Sequence, residues 1–218
     1  PLEGWKPKNS DGNLLLAPRH YRIQGKDFIV ALRQDGHVYL MNRKGETIKG
    51  FPLNIEMRPS GSLYFEPRTS ISGSAFTCIS NDGIKVRFTA EGKVFSREPL
   101  VKSSVNDKFS LIEERSNGYL VARQSPKRLT LFDDDNREII VNDFVGLNRV
   151  DIQYYDFGSG KVFITINDLN QGLCYIYDGE GNLITNTPID ATVILITWDS
   201  NLRLCYAEGK LVTIEPMN

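Results

Sequence analysis

Apolar and polar positions along this chain fall into short runs, each stopped by Gly, Asn, Asp or Pro, and the same succession returns about every 45 residues. The clearest copies are Asp35–Gly45 (DGHVYLMNRKG), Asp82–Gly92 (DGIKVRFTAEG), Arg128–Asn136 (RLTLFDDDN), Gly172–Gly181 (GLCYIYDGEG) and Leu202–Gly209 (LRLCYAEG). Within each copy an almost continuous apolar run comes first: Phe28–Leu32, Phe76–Ile79, Tyr119–Ala122 and Phe163–Ile166, each opened by an aromatic. Such runs suit a strand covered on both faces. A turn cluster follows (Gln34–Gly36, Asn81–Gly83, Gln124–Pro126, Asn167–Gly172), then an alternating strand (Val38–Asn42, Lys85–Phe88, Leu129–Phe132, Leu173–Tyr177). A second turn carries Lys44-Gly45, Glu91-Gly92, Asp135-Asn136 or Glu180-Gly181, so Gly or Asn stands wherever a left-handed residue is needed.

Before the apolar run, Gly12–Arg19 aligns with Gly61–Arg68, which predicts an inner strand. After the second turn an outer strand runs to a Pro-Leu mark, as in Glu46–Leu53. Four strands per unit, with no stretch of helical periodicity, predict an all-β chain of β-propeller type. The units run over about 1–51, 52–98, 99–143, 144–187 and 188–218, in one propeller domain. The last is short, with Val193–Trp198, Leu202–Tyr206 and Lys210–Ile214 only, so the expectation is four full blades and a partial fifth. The segment near Leu14–Leu16 could complete that blade, or the missing strands could lie upstream. Pro1–Leu2 matches the Pro-Leu mark of Pro52–Leu53 and Pro99–Leu100, so the chain is expected to be a piece of a longer protein.

Composition adds exclusions more than assignments. Hydrophobic content of 40% and charge of 24% are ordinary for a globular protein. The net charge is −1 with Lys and Arg scattered, which argues against nucleic acid as a partner. No apolar run is long enough to span a bilayer. Cys78, Cys174 and Cys205 cannot all pair with one another, form no Cys-x-x-Cys arrangement, and read as buried small hydrophobes.

The strand and turn pattern of Phe28–Leu53, with Asp-Gly, Val-Tyr-x-x-Asn, Lys-Gly-Glu and Gly-Phe-Pro-Leu, resembles repeats of the quinoprotein-like β-propeller superfamily, and most closely propeller segments of bacterial cell-envelope proteins. The resemblance implies the fold and a periplasmic or cell-surface location. Its motifs are turn and strand chemistry and bring no activity with them. Quinone-binding members carry a Trp-bearing motif in each blade. Trp5 and Trp198 do not recur with the repeat, so no cofactor is expected.

Candidate chemistry is sparse. His20 and His37 are too few for a multi-histidine zinc site or a Ser-His-Asp arrangement. Asp133 and Asp135, in the run Asp133–Asn136, offer oxygens for calcium, or they form a solvated hairpin turn; the spacing lacks the mid-loop Gly and later Glu of a calcium loop. Arg19, Arg68, Arg115 and Arg149 fall near the inner strands of successive units and could form a cationic ring for a carboxylate or phosphate, or they staple blades and face outward. Tyr154, with Tyr155 and Asp156, and Trp198, with Asp199, could stack on a sugar, or they pack in the blades. No carboxylate pair stands out for acid–base hydrolysis. The favoured expectation is a non-catalytic binding or scaffold module of an envelope protein, with a protein or glycan partner. A carbohydrate-binding module and a carbohydrate-active enzyme are the alternatives.

Overall fold

The computed structural model describes residues 12–113, 118–143, 145, 148–185, 187–191, 193–198, 202–208 and 211–216. Among them there are only strands, turns and loops, and no helix long and apolar enough to cross a membrane. The fold is all-β: four antiparallel four-stranded sheets and a smaller three-stranded one, the blades of a β-propeller.

The first blade holds β1 (Arg19–Ile23), β2 (Lys26–Leu32), β3 (His37–Asn42) and β4 (Leu53–Asn54), in that order. The second holds β5 (Tyr64–Glu66), β6 (Ala75–Ile79), β7 (Ile84–Thr89) and β8 (Val94–Pro99). The third holds β9 (Lys108–Glu113), β10 (Tyr119–Ser125), β11 (Arg128–Phe132) and β12 (Glu138–Asn142). The fourth holds β13 (Val150–Asp156), β14 (Val162–Asp168), β15 (Leu173–Asp178) and β16 (Ile189–Asp190). The three-stranded sheet is β17 (Val193–Trp198), β18 (Leu202–Glu208) and β19 (Leu211–Pro216). The outer strands of the first and fourth blades begin at the second residue of the Pro-Leu mark, Leu53 and Ile189, where the sequence pattern has them end. Leu14 bridges to Arg33, so this segment lengthens the first blade along β2.

The turn at the tip of each full blade is the same device built four times. The backbone N–H of Asn42, Thr89, Asp133 or Asp178 donates to the carbonyl four residues on, at 2.9–3.0 Å. The side-chain oxygen of that same residue accepts the return N–H, at 3.1 Å from Glu46, 3.2 Å from Lys93, 2.8 Å from Arg137 and 2.8 Å from Asn182. The left-handed position is Gly45, Gly92, Asn136 or Gly181, with φ of 77°, 79°, 64° and 85°. Short polar side chains that bond their own backbone are what Asn, Asp and Thr provide at turns.

These caps fix a common register, and it departs from the sequence alignment. Opposite the cap on the second strand stand Phe28, Ala75 and Phe163; Val121 faces Phe132, which puts Leu120 at that place in the third blade. Phe76 therefore sits one residue late and Tyr119 one early, on the other face of their strands. The four aromatics do not form one column. In β6 the aromatic simply stands one residue later in the strand, while in the third blade a hairpin one residue shorter than that of the first puts Leu120 instead of Tyr119 opposite Asp133.

The chain divides into two compact units, Pro1–Leu111 and Ile112–Asn218. The first has one core, with Val30, Leu40, Phe76, Val86 and Phe88 all nearly inaccessible to solvent. Its rings run Tyr21–Phe65–Phe76–Phe88 with centroids 4.5, 4.9 and 5.3 Å apart. Aromatic pairs at such separations add about 0.5–1.5 kcal/mol each beyond their burial. The second unit has two clusters, one around Leu129, Leu131, Ile140, Ile164 and Ile166, the other around Cys174, Ile176, Ile194 and Ile196.

Candidate functional site

A half-open cleft of about 540 Å3 lies at the tips of the first unit's blades. A Gln24–Gly25 turn with both φ values positive, 49° and 72°, reverses the chain between Ile23 and Lys26 and sets Lys26 on the rim. Gln24 Nε2 donates to the Thr69 carbonyl at 2.5 Å, which ties this turn to the loop that carries Ile71. Period-2 alternation puts Phe28 on the same strand face as Lys26. Phe28, Ile48 and Ile71 give the cleft an apolar floor continuous with the core. The capped tip turn supplies Arg43, Lys44 and Glu46. Asp27 lies 3.0 Å from His20 Nε2, and Glu46 accepts from Asn42 Nδ2 at 2.7 Å. The cleft thus carries three cations against two acids, and both acids already hold a local partner.

A smaller cavity of about 370 Å3 opens among Gly12, Asn13, Arg33, Gln34, Asp35 and Arg58. Arg33 is occupied there, 2.6 Å from Asp35 and 3.4 Å from the Tyr39 hydroxyl. A second surface feature is the Pro99–Asp107 loop. Buried Asp107 accepts the Ser103 and Ser104 N–H groups at 2.6 and 3.1 Å, and the loop holds Val101 and Val105 out at 80% and 92% exposure.

The arginines expected in a ring stand in different registers. Tyr21, Glu66 and Tyr155 are the first-strand residues at the level of the caps, so Arg19 corresponds to Tyr64 and Gln153. Arg68 comes four residues after Tyr64 and Arg149 four before Gln153. Arg19 is half-buried, its Nη1 3.5 Å from the Leu63 carbonyl; Arg68 is exposed and paired with Glu66; the Arg149 backbone N–H donates to Asn170 Oδ1 at 2.8 Å. Arg115 and Trp5 lie outside the described residues.

Tyr154 and Tyr155, as neighbours in β13, point to opposite faces. Tyr154 packs on the core of Leu131 and Ile164, while Tyr155 packs toward Ile194, its hydroxyl 3.3 Å from that carbonyl. Burial pushes the Tyr155 phenol up. They therefore share no stacking platform. The Trp198 backbone pairs with Leu202; its side chain and Asp199 lie outside the described residues. Asp133, Asp134 and Asp135 cluster closely enough to hold one ion. Arg137 already bonds two of them, 2.9 Å to Asp133 and 2.7 Å to Asp135, and Asp133 is also the turn cap.

Sequence reasoning missed Lys26, Arg43, Lys44, Ile48 and Ile71. Their one signal is that Lys26 and Arg43-Lys44 stand at the two outer ends of a single hairpin, the start of β2 and the end of β3; Ile71 arrives from the next repeat.

No family model and no curated protein matches this chain. Among solved structures it is similar to BBS1N, a β-propeller crystallised in complex with ARL6DN and soaked with lead: TM-score 0.56, 12% identity, over 93% of this chain and 65% of that one. A mercury-soaked crystal of the same complex gives 0.54 at 13% identity, over 89% and 63%. BamB from Moraxella catarrhalis aligns at 0.48 and 15% identity, over 97% and 59%. The chain thus spans less than two thirds of each of these structures. At such identities the similarity to BBS1N establishes the β-propeller fold and nothing finer.

Proposed function

We propose that this chain is a non-catalytic binding module within a bacterial cell-envelope protein of the quinoprotein-like propeller superfamily, and that it holds a protein partner at its blade tips. The observation that carries the reading is the tip cleft, where an apolar floor of Phe28, Ile48 and Ile71 meets a rim of Lys26, Arg43 and Lys44. A concave apolar surface edged by a few charges is a recognition surface. Two further points support it. The structures of BBS1N in complex with ARL6DN come from a propeller that holds another protein. The envelope setting rests on the resemblance of Phe28–Leu53 to envelope propeller repeats.

The test is cross-linked capture of the full-length parent protein from its native membrane fraction, read by mass spectrometry. The parent chain is compared with a Lys26→Glu/Lys44→Glu variant and with Lys127→Glu, an exposed lysine of the second unit. The reading requires a reproducible protein that the double variant loses and Lys127→Glu keeps. Equal recovery by all three sinks the assignment of the partner surface to these tips.

A further inference from the structure

The chemistry of the tip cleft selects among partners, and the step taken here rests on the binding-module reading above. Among the described residues Lys26, Arg43 and Lys44 make no ion pair or side-chain hydrogen bond. The two acids that could neutralise them are turned to His20 and to the Asn42 amide. The three cations are also held in place by backbone geometry. Lys26 follows a two-residue turn anchored to Thr69, and Arg43-Lys44 lie inside a capped turn where Asn42 Oδ1 accepts the Lys44 N–H at 2.9 Å. Part of the entropic cost of gathering positive charge is therefore met before any ligand arrives.

Beneath this rim the floor is aliphatic to a ligand. The Phe28 ring is only 3% exposed, so it offers no face on which a base could stack, while Ile48 and Ile71 remain half-buried at the cleft surface. A free phosphate would satisfy the rim and leave these two side chains in water. A nucleotide would lack its stacking platform. A carboxylate next to an aliphatic side chain meets both halves of the site, since Arg43 can take a carboxylate in two parallel hydrogen bonds and the isoleucines can bury the neighbour. The cleft volume of about 540 Å3 is of the size that receives such a segment.

We propose that the cleft between Lys26, Lys44 and Ile71 is a docking site for an acidic peptide segment of a partner protein, in which glutamate or aspartate stands beside leucine, isoleucine or valine. The rim binds the carboxylate and sets the salt dependence. The floor binds the aliphatic side chain and sets the preference for a protein over a bare anion.

The probe is a fluorescein-labelled peptide alternating glutamate with leucine, titrated with the full chain and followed by fluorescence anisotropy. The companion probe has serine in place of leucine, and inorganic phosphate is the competitor. Binding of the leucine peptide is expected to weaken about tenfold between about 0.05 and 0.3 M salt. Lys26→Glu/Lys44→Glu is expected to weaken it about tenfold or more, and Ile71→Ser about tenfold, with unchanged thermal midpoints showing that the variants are folded. The serine peptide binds weakly, and phosphate competes poorly. The inference is overturned if the serine peptide binds as tightly as the leucine peptide, if phosphate competes at equal strength, or if the charge reversals leave binding intact. If neither peptide binds while capture from the membrane fraction still yields a partner that depends on Lys26 and Lys44, the acidic-peptide inference falls and the binding-module reading stands.

Discussion

Gly50 and Gly92 meet backbone against backbone: a Cβ on Gly50 would run into the Glu91 carbonyl oxygen, and one on Gly92 into the Gly50 carbonyl oxygen. Both have positive φ, 93° and 79°. Here the tip turn of the second blade closes on the chain leaving the tip turn of the first, with no side chain between them. Gly92→Ala should therefore cost about 2–4 kcal/mol, combining left-handed strain with overpacking against backbone that cannot yield. Gly25 shares the positive φ and faces open space, so Gly25→Ala should cost only about 1 kcal/mol. Urea unfolding of the two variants side by side checks this, and equal losses would remove close packing as the cause.

Asn167 is 1% exposed in β14, and among the described residues neither its amide nitrogen nor its amide oxygen has a hydrogen-bond partner. Counted from the caps, the same place is held by Leu32 in the first blade and Ile79 in the second. Desolvating a polar group without a partner costs about 1–3 kcal/mol. Asn167→Leu, which keeps the number and branching of the side-chain heavy atoms, should raise stability by about 1–2 kcal/mol in the same unfolding measurement. A loss of stability would mean that a buried water or another group completes the amide.

Lys85 has a side chain only 4% exposed and lies 3.3 Å from Glu98, which is half-exposed. The Ser96 hydroxyl, 2.6 Å from Glu98 Oε1, holds this carboxyl below its ordinary 4.5; slight burial opposes that shift and the Lys85 charge adds to it. A depressed carboxyl contributes stability that is complete above its unfolded pKa and is lost as pH falls through the folded one. Glu98→Gln should cost about 0.5–1 kcal/mol at neutral pH. Its deficit against the parent chain should shrink below the ordinary value of 4.5 and vanish in stronger acid. Thermal midpoints across that range decide the matter, and a gap independent of pH would trace the loss to packing.

Burial pushes the Cys78 and Cys174 thiols up to about 12, so the folded chain presents almost no thiolate at either. Cys205 is half-buried. Iodoacetamide at about pH 8 should leave Cys78 and Cys174 unmodified in the folded protein and alkylate both once urea unfolds it, as read by peptide mass spectrometry. Native labelling of either at the rate of a free peptide thiol would contradict the packing of these two blades.

The sequence displayed its strands and tip turns because each is written locally: Asn42, Thr89, Asp133 and Asp178 bond their own turns, and a Gly or Asn follows three residues later. Strand register was legible only in part. Counted from the caps, Phe76 stands one residue later than Phe28 and Arg68 four residues later than Arg19, and one residue of slip exchanges the faces of a strand. The tip cleft left almost no trace. Lys26, Arg43 and Lys44 are ordinary surface residues in the chain, and Ile71 joins them from the next repeat, on a loop that the Gln24 amide meets at Thr69. A site assembled from two repeats has no motif within either.

Because each tip turn is fastened by its own first residue, the frame of a blade does not depend on what the middle of the turn says. Residues 42–46 and 178–182 are of equal length and share the same cap hydrogen bond and left-handed glycine. Surface chemistry at the tips can therefore drift, be grafted or be diversified in a library while the strands beneath keep their places, which makes each tip turn a natural place for new recognition to arise.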